Sequence, residues 1–179
     1  HLHFPPALAG RYRDRLAEVR LGETDRPHYA TQRFIDHWNS EEGRAEIYPS
    51  GGMRGPAREL GRFYELLLAK GELDGEPLFD RRTVEVFTAT HRWDMPDQTL
   101  LGAKLAWGLG FGKYGNADIH ARVSRRMYGH SGMVSCVAFA DPDRELVCVV
   151  LTTGLLDALT NARRLREVSA AVLSAADGV

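Results

Sequence analysis

Two apolar runs folded about one turn constrain this chain more than any other feature. Val134 to Ala140 and Glu145 to Thr152 flank Asp141-Pro142-Asp143-Arg144, where aspartate and proline hold the positions that tight turns favour. The runs are short and rich in valine, so each reads as a strand. Just before them stands Tyr128-Gly129-His130-Ser131-Gly132-Met133, a glycine-hinged histidine opening a β-meander. Residues 126–134, 136–141 and 145–152 are therefore expected to form three antiparallel strands. The stretch Leu146-Val147-Cys148-Val149-Val150-Leu151 is apolar on both faces, the pattern of a central strand covered by helices on both sides. Only 136–141 is an evident neighbour for it, so a further strand from outside residues 1–179 is expected on its other edge.

Symmetrical closure of the turn puts Cys136 opposite Val149 and Cys148 opposite Val137. The two thiols then point to opposite faces of the sheet and do not bridge. Two cysteines are in any case too few for a disulfide framework.

The rest of the chain supplies helices. Residues 1–48 are polar and aperiodic, with short helical stretches at Tyr12–Arg20 and Thr31–Trp38, and read as a surface or lid segment instead of core. After the Ser50-Gly51-Gly52-Met53 turn, Pro56 suits a helix first turn, and Leu60, Phe63, Tyr64 and Leu67 form one apolar face. Gly71 caps its end. Asp80 caps a short helix through Phe87, with Val84 and Phe87 as its buried side. Residues 88–104 read as an exposed loop. Trp107, Leu109 and Phe111 alternate with glycines as a glycine-rich strand. A last helix from Leu156 to Ala175 carries Leu159, Ala162, Leu165, Val168 and Val172 as its stripe, with Asp157 in its first turn. Helices, a meander and a terminal helix give an α+β fold on an antiparallel sheet, with residues 49–179 as its body.

The formal net charge is −1, which offers no electrostatic basis for nucleic acid or an anionic membrane as partner. No apolar stretch approaches the roughly 18 residues of a membrane span. The chain opens His1-Leu2-His3, without an initiator Met or signal pattern, so it reads as a piece of a longer polypeptide whose true N-terminus is not visible. Two buried thiols favour a reducing, cytoplasmic setting. His1 and His3 lack further ligands, no Cys/His spacing supports zinc, and no glycine-rich loop opens a helix in dinucleotide-binding fashion. Neither a metal nor a cofactor is expected.

Gly129-His130-Ser131-Gly132 is not a nucleophile elbow. Met133 occupies the place of the closing glycine, and the context is strand–turn–strand. Asp118, His120 and Ser131 compose a triad only on paper. A structural histidine on a glycine turn is the plain alternative reading of the box.

The ordered set of motifs from about residue 49 to 175 resembles the β-lactamase-related serine hydrolases: class C β-lactamases, family VIII esterases, D-Ala-D-Ala carboxypeptidases of the penicillin-binding-protein type, and related acyltransferases. The pieces are Ser50-Gly51-Gly52-Met53 with Glu59-Leu60-Gly61-Arg62-Phe63, Leu66-Leu67-Leu68 with Gly71 and Gly75, and Leu78 with Thr83-Val84. Trp107-Gly108-Leu109-Gly110-Phe111, the Gly129–Gly132 box, Asp141-Pro142 and Val149-Val150-Leu151-Thr152 follow in order. The resemblance implies a β-lactamase/transpeptidase-like fold whose N-terminal part lies outside this chain. It also implies a box of the H-x-G or K-T-G kind. His130 would orient the acyl substrate and a proton-moving tyrosine, Ser131 would hydrogen-bond the substrate, and Gly132 would let the backbone approach closely. The Met133 N–H would be one of two oxyanion donors.

The departures lie elsewhere. No S-x-x-K occurs in residues 1–179, and the one Y-x-N, Tyr114-Gly115-Asn116, follows the Trp107–Phe111 stretch instead of preceding the whole segment. Arg54-Gly55, Ser135 and Thr153 also differ from the family pattern. The resemblance therefore implies a serine hydrolase or acyltransferase acting on a small ester, amide or lactam. Its nucleophile segment, with S-x-x-K and Y-x-N, would come from upstream or from another chain, and residues 1–179 alone would be inactive. The alternative is a catalytically inactive relative kept as a binding or scaffold module.

Overall fold

The strands of the meander form on the short valine-rich runs about the Asp141–Arg144 turn. A computed structural model of the chain describes residues 6–12, 15–28, 30–100, 102–114, 119, 122–132 and 136–178. In chain order the elements are α1 (Pro6–Tyr12), β1 (Arg20–Leu21), α2 (Gln32–Asn39), α3 (Glu41–Ala45) and α4 (Ala57–Leu68). Next come β2 (Glu72–Leu73), β3 (Glu76–Pro77), α5 (Arg81–Thr88), β4 (Pro96–Asp97) and β5 (Ala103–Lys104). The last are β6 (Tyr128–Gly132), β7 (Cys136–Asp141), β8 (Leu146–Val150), β9 (Gly154–Leu155) and α6 (Ala158–Asp177).

The main sheet has the order β6-β7-β8, all antiparallel. Its register differs from the symmetrical expectation by two residues: Phe139 faces Cys148 and Val137 faces Val150. The cause is Glu145, which takes a left-handed conformation (φ 50°) and joins the turn instead of the strand. Arg144 N–H closes that turn on the Asp141 carbonyl at 3.1 Å. A shift of two leaves every side chain on its expected face, because the side-chain period is two. The cysteines are free and fall on opposite faces, as the sequence implied.

Each face of the sheet is covered. On one side Val137, Phe139 and Cys148 pack with Leu165 and Leu173 of α6 and with Ile119, Val123 and Met127. On the other, Ala138 and Ala140 meet Tyr64 and Leu67 of α4, Val84 of α5 and Tyr128. Small alanines on that face leave room for rings. Tyr64 stacks on Tyr128 at 6.4 Å, and Phe111 meets Tyr128 edge-on at 5.6 Å. Phe139 is fully buried, and a phenylalanine taken from water to core contributes about 2–3 kcal/mol.

Among the described residues β7 is the central strand, and β8 has β7 as its one paired neighbour. The helix caps follow the sequence. Asp80 accepts from Thr83 N–H at 3.1 Å. Gly71 (φ 101°) sends its N–H to the Leu66 carbonyl at 2.8 Å, and a Cβ there would lie 2.2 Å from the Phe79 carbonyl oxygen.

Several expectations are revised. Phe87 is 47% exposed, and α5 buries Val84 with Thr88 instead. Of the expected α6 stripe Leu165 is buried and Val172 packs on the core, but Leu159 is 65% exposed, and Ser169 and Leu173 turn inward instead. The 88–104 stretch contains the β4–β5 hairpin. Trp107 to Gly112 is a tight reversal, with Gly108 N–H bonded to the Phe111 carbonyl at 2.7 Å, and not a continuous strand. Within the polar N-terminal segment, β1 pairs in parallel with β9, and Val19 and Ile35 are buried against Leu155. The Asn39 side chain holds that join, accepting from Val19 N–H at 2.9 Å and donating to the Val19 carbonyl at 2.7 Å.

Candidate functional site

β6 carries the glycine-hinged histidine, and its glycines explain how the strand lies. A Cβ at Gly129 would sit 2.4 Å from both the Ala138 carbonyl oxygen and Phe139 Cβ. Only glycine lets β6 approach β7 so closely there. On its other edge Gly129 exchanges hydrogen bonds with Gly112, donating at 3.0 Å and accepting at 2.7 Å. Gly112 in turn bridges to Trp107, which bridges to Arg92. The chain 92–107–112–129 thus hangs the Trp107 indole beside the box.

His130 is exposed and opposes Ala138 across the ladder. Its ring centroid lies 5.7 Å from that of Trp107, tilted by 48°. Its Nδ1 lies 2.5 Å from the Ser131 carbonyl oxygen, a contact that a protonated Nδ1 makes. Ser131 and Gly132 follow on the same strand, half-buried, opposite Val137 and Cys136. Met133 lies outside the described residues, as do Ser135, Gly115, Asn116, Asp118, His120 and the two N-terminal histidines. Of the four site residues expected from the sequence, the structure thus brings His130, Ser131 and Gly132 together on one strand.

Sequence reasoning did not single out Trp107 as His130's neighbour, although its Trp-Gly-Leu-Gly-Phe setting marked it. Arg92 was not singled out at all. Its guanidinium lies 5.8 Å over the Trp107 ring and is paired with the buried Asp97. The Trp107 indole N–H is buried without a hydrogen-bond partner among the described residues, although such donors are nearly always satisfied.

The other reactive groups near the box are quiet. Burial pushes the Cys136 thiol up and the Cys148 thiol to about 11, so neither is a thiolate nucleophile near neutral pH. Burial also raises Tyr64 well above the ordinary tyrosine value, helped by Tyr128, and carries Tyr128 to about 12. Neither phenol is poised as a general base. No cluster of His, Cys, Asp and Glu able to hold a metal occurs among the described residues. Nor is any helix among them long and apolar enough to cross a membrane.

Known proteins place this geometry. The chain aligns with EstA from Arthrobacter nitroguajacolicus Rue61a over 96% of its own length and 50% of that protein's, with a TM-score of 0.63 and 22% identity. A penicillin-binding protein homolog from Caulobacter crescentus matches over 91% of this chain and 45% of its own, with a TM-score of 0.56 and 21% identity. A β-lactamase from Mycobacterium bovis matches over 64% and 42%, with a TM-score of 0.51 and 22% identity. The chain therefore spans about half the length of these solved structures and shares their fold. No curated protein sequence matches it significantly. The β-lactamase family model matches residues 2–172, nearly the whole chain, and the chain belongs to the β-lactamase family.

Proposed function

We propose that residues 1–179 form one wall of the acyl pocket of a serine hydrolase or acyltransferase that acts on an ester, amide or lactam. The observation that carries this reading is the presentation of His130. It is exposed on an outer strand, walled by Trp107, with Nδ1 engaged by the Ser131 carbonyl. In this reading a serine from an S-x-x-K segment outside residues 1–179 attacks the acyl carbon, and the leaving group departs with a proton. Water then releases the acyl group and regenerates the serine. His130 orients the substrate and the proton-moving tyrosine of that segment, and Ser131 hydrogen-bonds the substrate. Gly132 admits the acyl group close to the backbone, and the Met133 N–H donates to the oxyanion, worth about 3 kcal/mol for one such donor.

Three features support a contribution from outside the chain. The high-lying phenols of Tyr64 and Tyr128 leave the proton-moving role to another residue. The Trp107 N–H beside the box has no acceptor among the described residues. Among the described residues β8 pairs with β7 alone. In this reading the segment or chain bearing S-x-x-K is the partner of this piece.

A fluorophosphonate serine probe on the complete protein tests this. It should label one serine in an S-x-x-K sequence and none within residues 1–179. His130→Ala should slow acylation roughly 100-fold, the scale of a positioned acid–base or orienting group, with the melting temperature nearly unchanged. Absence of any labelled serine would leave the inactive scaffold as the better reading. A large loss of stability with an intact acylation rate would make His130 structural.

A further inference from the structure

We propose that a cleft where β6 begins, between α4, α5 and the β7–β8 turn, binds a phosphate-class dianion. The starting observation is Lys113, whose side chain is buried at 3% exposure. Its ammonium donates to the Thr88 carbonyl at 2.7 Å and the Arg126 carbonyl at 3.1 Å, and lies 5.3 Å over the Tyr128 ring. All three partners are neutral. Buried lysines are ordinarily paired with a carboxylate, yet among the described residues none pairs with this one.

The surroundings make the excess of positive charge larger. The cleft, about 240 Å³, is lined by Lys113 together with Lys70, Arg125, Arg126 and Glu85, and the Thr90 hydroxyl lies on the same wall. Glu85 is taken by Arg81 at 3.0 Å, and Arg126 is matched by Asp143 at 2.9 Å. Arg125 lies over the Tyr114 ring. Lys70, Lys113 and Arg125 are thus left without a carboxylate among the described residues. Burial, then repulsion from Arg126 and Lys70, pushes the Lys113 ammonium down to about 8. A protein that merely tolerated one buried lysine would be expected to ring it with acids, and this one rings it with further cations. Three uncompensated positive charges fit a dianion better than a monocarboxylate. Lysine and arginine donors in one concavity match the several oxygens of a phosphate group. The site uses neither His130 nor the rest of the box, so it stands or falls independently of the acyl chemistry.

The test is calorimetric titration of the complete protein with inorganic phosphate at fixed ionic strength, chloride being the balancing anion. One saturable phosphate site is expected, with acetate binding far more weakly. Lys70→Gln, at a half-buried position, and Arg125→Gln, at an exposed one, should each weaken phosphate about tenfold, the scale of a lost charge-assisted hydrogen bond. Lys113→Met should remove binding in protein whose circular dichroism is native. The two glutamine variants decide the matter if Lys113→Met does not fold. Phosphate binding no better than chloride, equal affinity for acetate, insensitivity to Lys70→Gln and Arg125→Gln, or binding to phosphatidic-acid vesicles alone would each overturn the proposal.

Discussion

Gly129 and Gly132 share a strand but differ in what lies above them. At Gly129 the obstacle to a Cβ is backbone, the Ala138 carbonyl and the Phe139 Cα and Cβ, which move only if the ladder moves. At Gly132 the obstacle is the Cys136 sulfur at 2.4 Å, the end of a side chain that can rotate away. Gly129→Ala should therefore destabilise by about 3 kcal/mol, the upper range of overpacking, and Gly132→Ala by only about 1 kcal/mol. Urea unfolding of the two variants checks the order. If Gly132→Ala proves the more damaging, the close approach of β6 to β7 is misassigned. The histidine and both glycines are conspicuous in the sequence because three such residues crowd one strand. The indole beside them is not, since Trp107 reaches His130 only through the bridges Trp107–Gly112 and Gly112–Gly129 that folding makes.

At the scale of elements, the informative residue is Asp157. Its carboxylate accepts from Leu159 and Thr160 N–H at 3.1 and 3.0 Å, capping α6, and from the Thr24 hydroxyl at 2.5 Å. Hydrogen bonds from Thr160 and Thr24 hold it well below the usual carboxylate range. Asp157→Ala should lower the melting temperature by a few degrees, as loss of a helix cap does. Asp157→Asn, which keeps an acceptor, should lower it less. Equal losses would mean that charge and not capping matters there.

The β8 edge gives a second test at this scale. Five apolar residues on a strand with one neighbour form a ready template for pairing. If a strand from outside residues 1–179 completes the sheet, the outward amides of β8 should exchange as slowly as those of β7 in the complete protein, measured by hydrogen exchange. Fast exchange along β8 would show the edge to be open and remove that partner.

Across the whole molecule, the sheet and its terminal helix are tied through one arginine. Arg144 donates from Nε to Asp177 at 2.7 Å and from its guanidinium nitrogen to Asp141 at 2.8 Å, so the hairpin turn is fastened to the end of α6. Burial raises Asp141, but the hydrogen bonds from Ser124, Arg144 and Asp143 outweigh it and leave the carboxyl below its ordinary value. Arg144 lowers Asp177 likewise. Groups depressed on folding contribute stability above their unfolded pKa of about 4 and lose it as pH falls through the folded values. Thermal stability should thus be flat from neutral pH down to about 5 and fall below about 4. Arg144→Met should flatten that acid limb. A limb unchanged in Arg144→Met would place the acid sensitivity elsewhere.

The sequence by itself determined whatever depends on neighbours in the chain. The two apolar strands about the Asp141–Arg144 turn, the Asp80 cap and the glycine stop at Gly71 were legible because a turn or cap is decided within a few residues. Asp157 was legible too, although its carboxylate proved to be the cap itself. The ordered motifs carried the family as well. The tertiary structure decided what depends on distant surfaces. The helical period marked a stripe from Leu159 to Val172, and Leu165 of that stripe is buried, yet α6 leaves Leu159 exposed and turns Ser169 and Leu173 inward because the sheet meets it there. Ser169 is admitted because its hydroxyl donates to the Leu165 carbonyl at 2.7 Å. Residues 1–48 read as polar surface, yet Val19 and Ile35 find Leu155 more than a hundred residues away. Lys113 reads as an ordinary surface lysine until Thr88, Arg126 and Tyr128 close over it. Local preferences choose elements. Which face each element buries, and which cation loses its water, is set by the partners that folding brings.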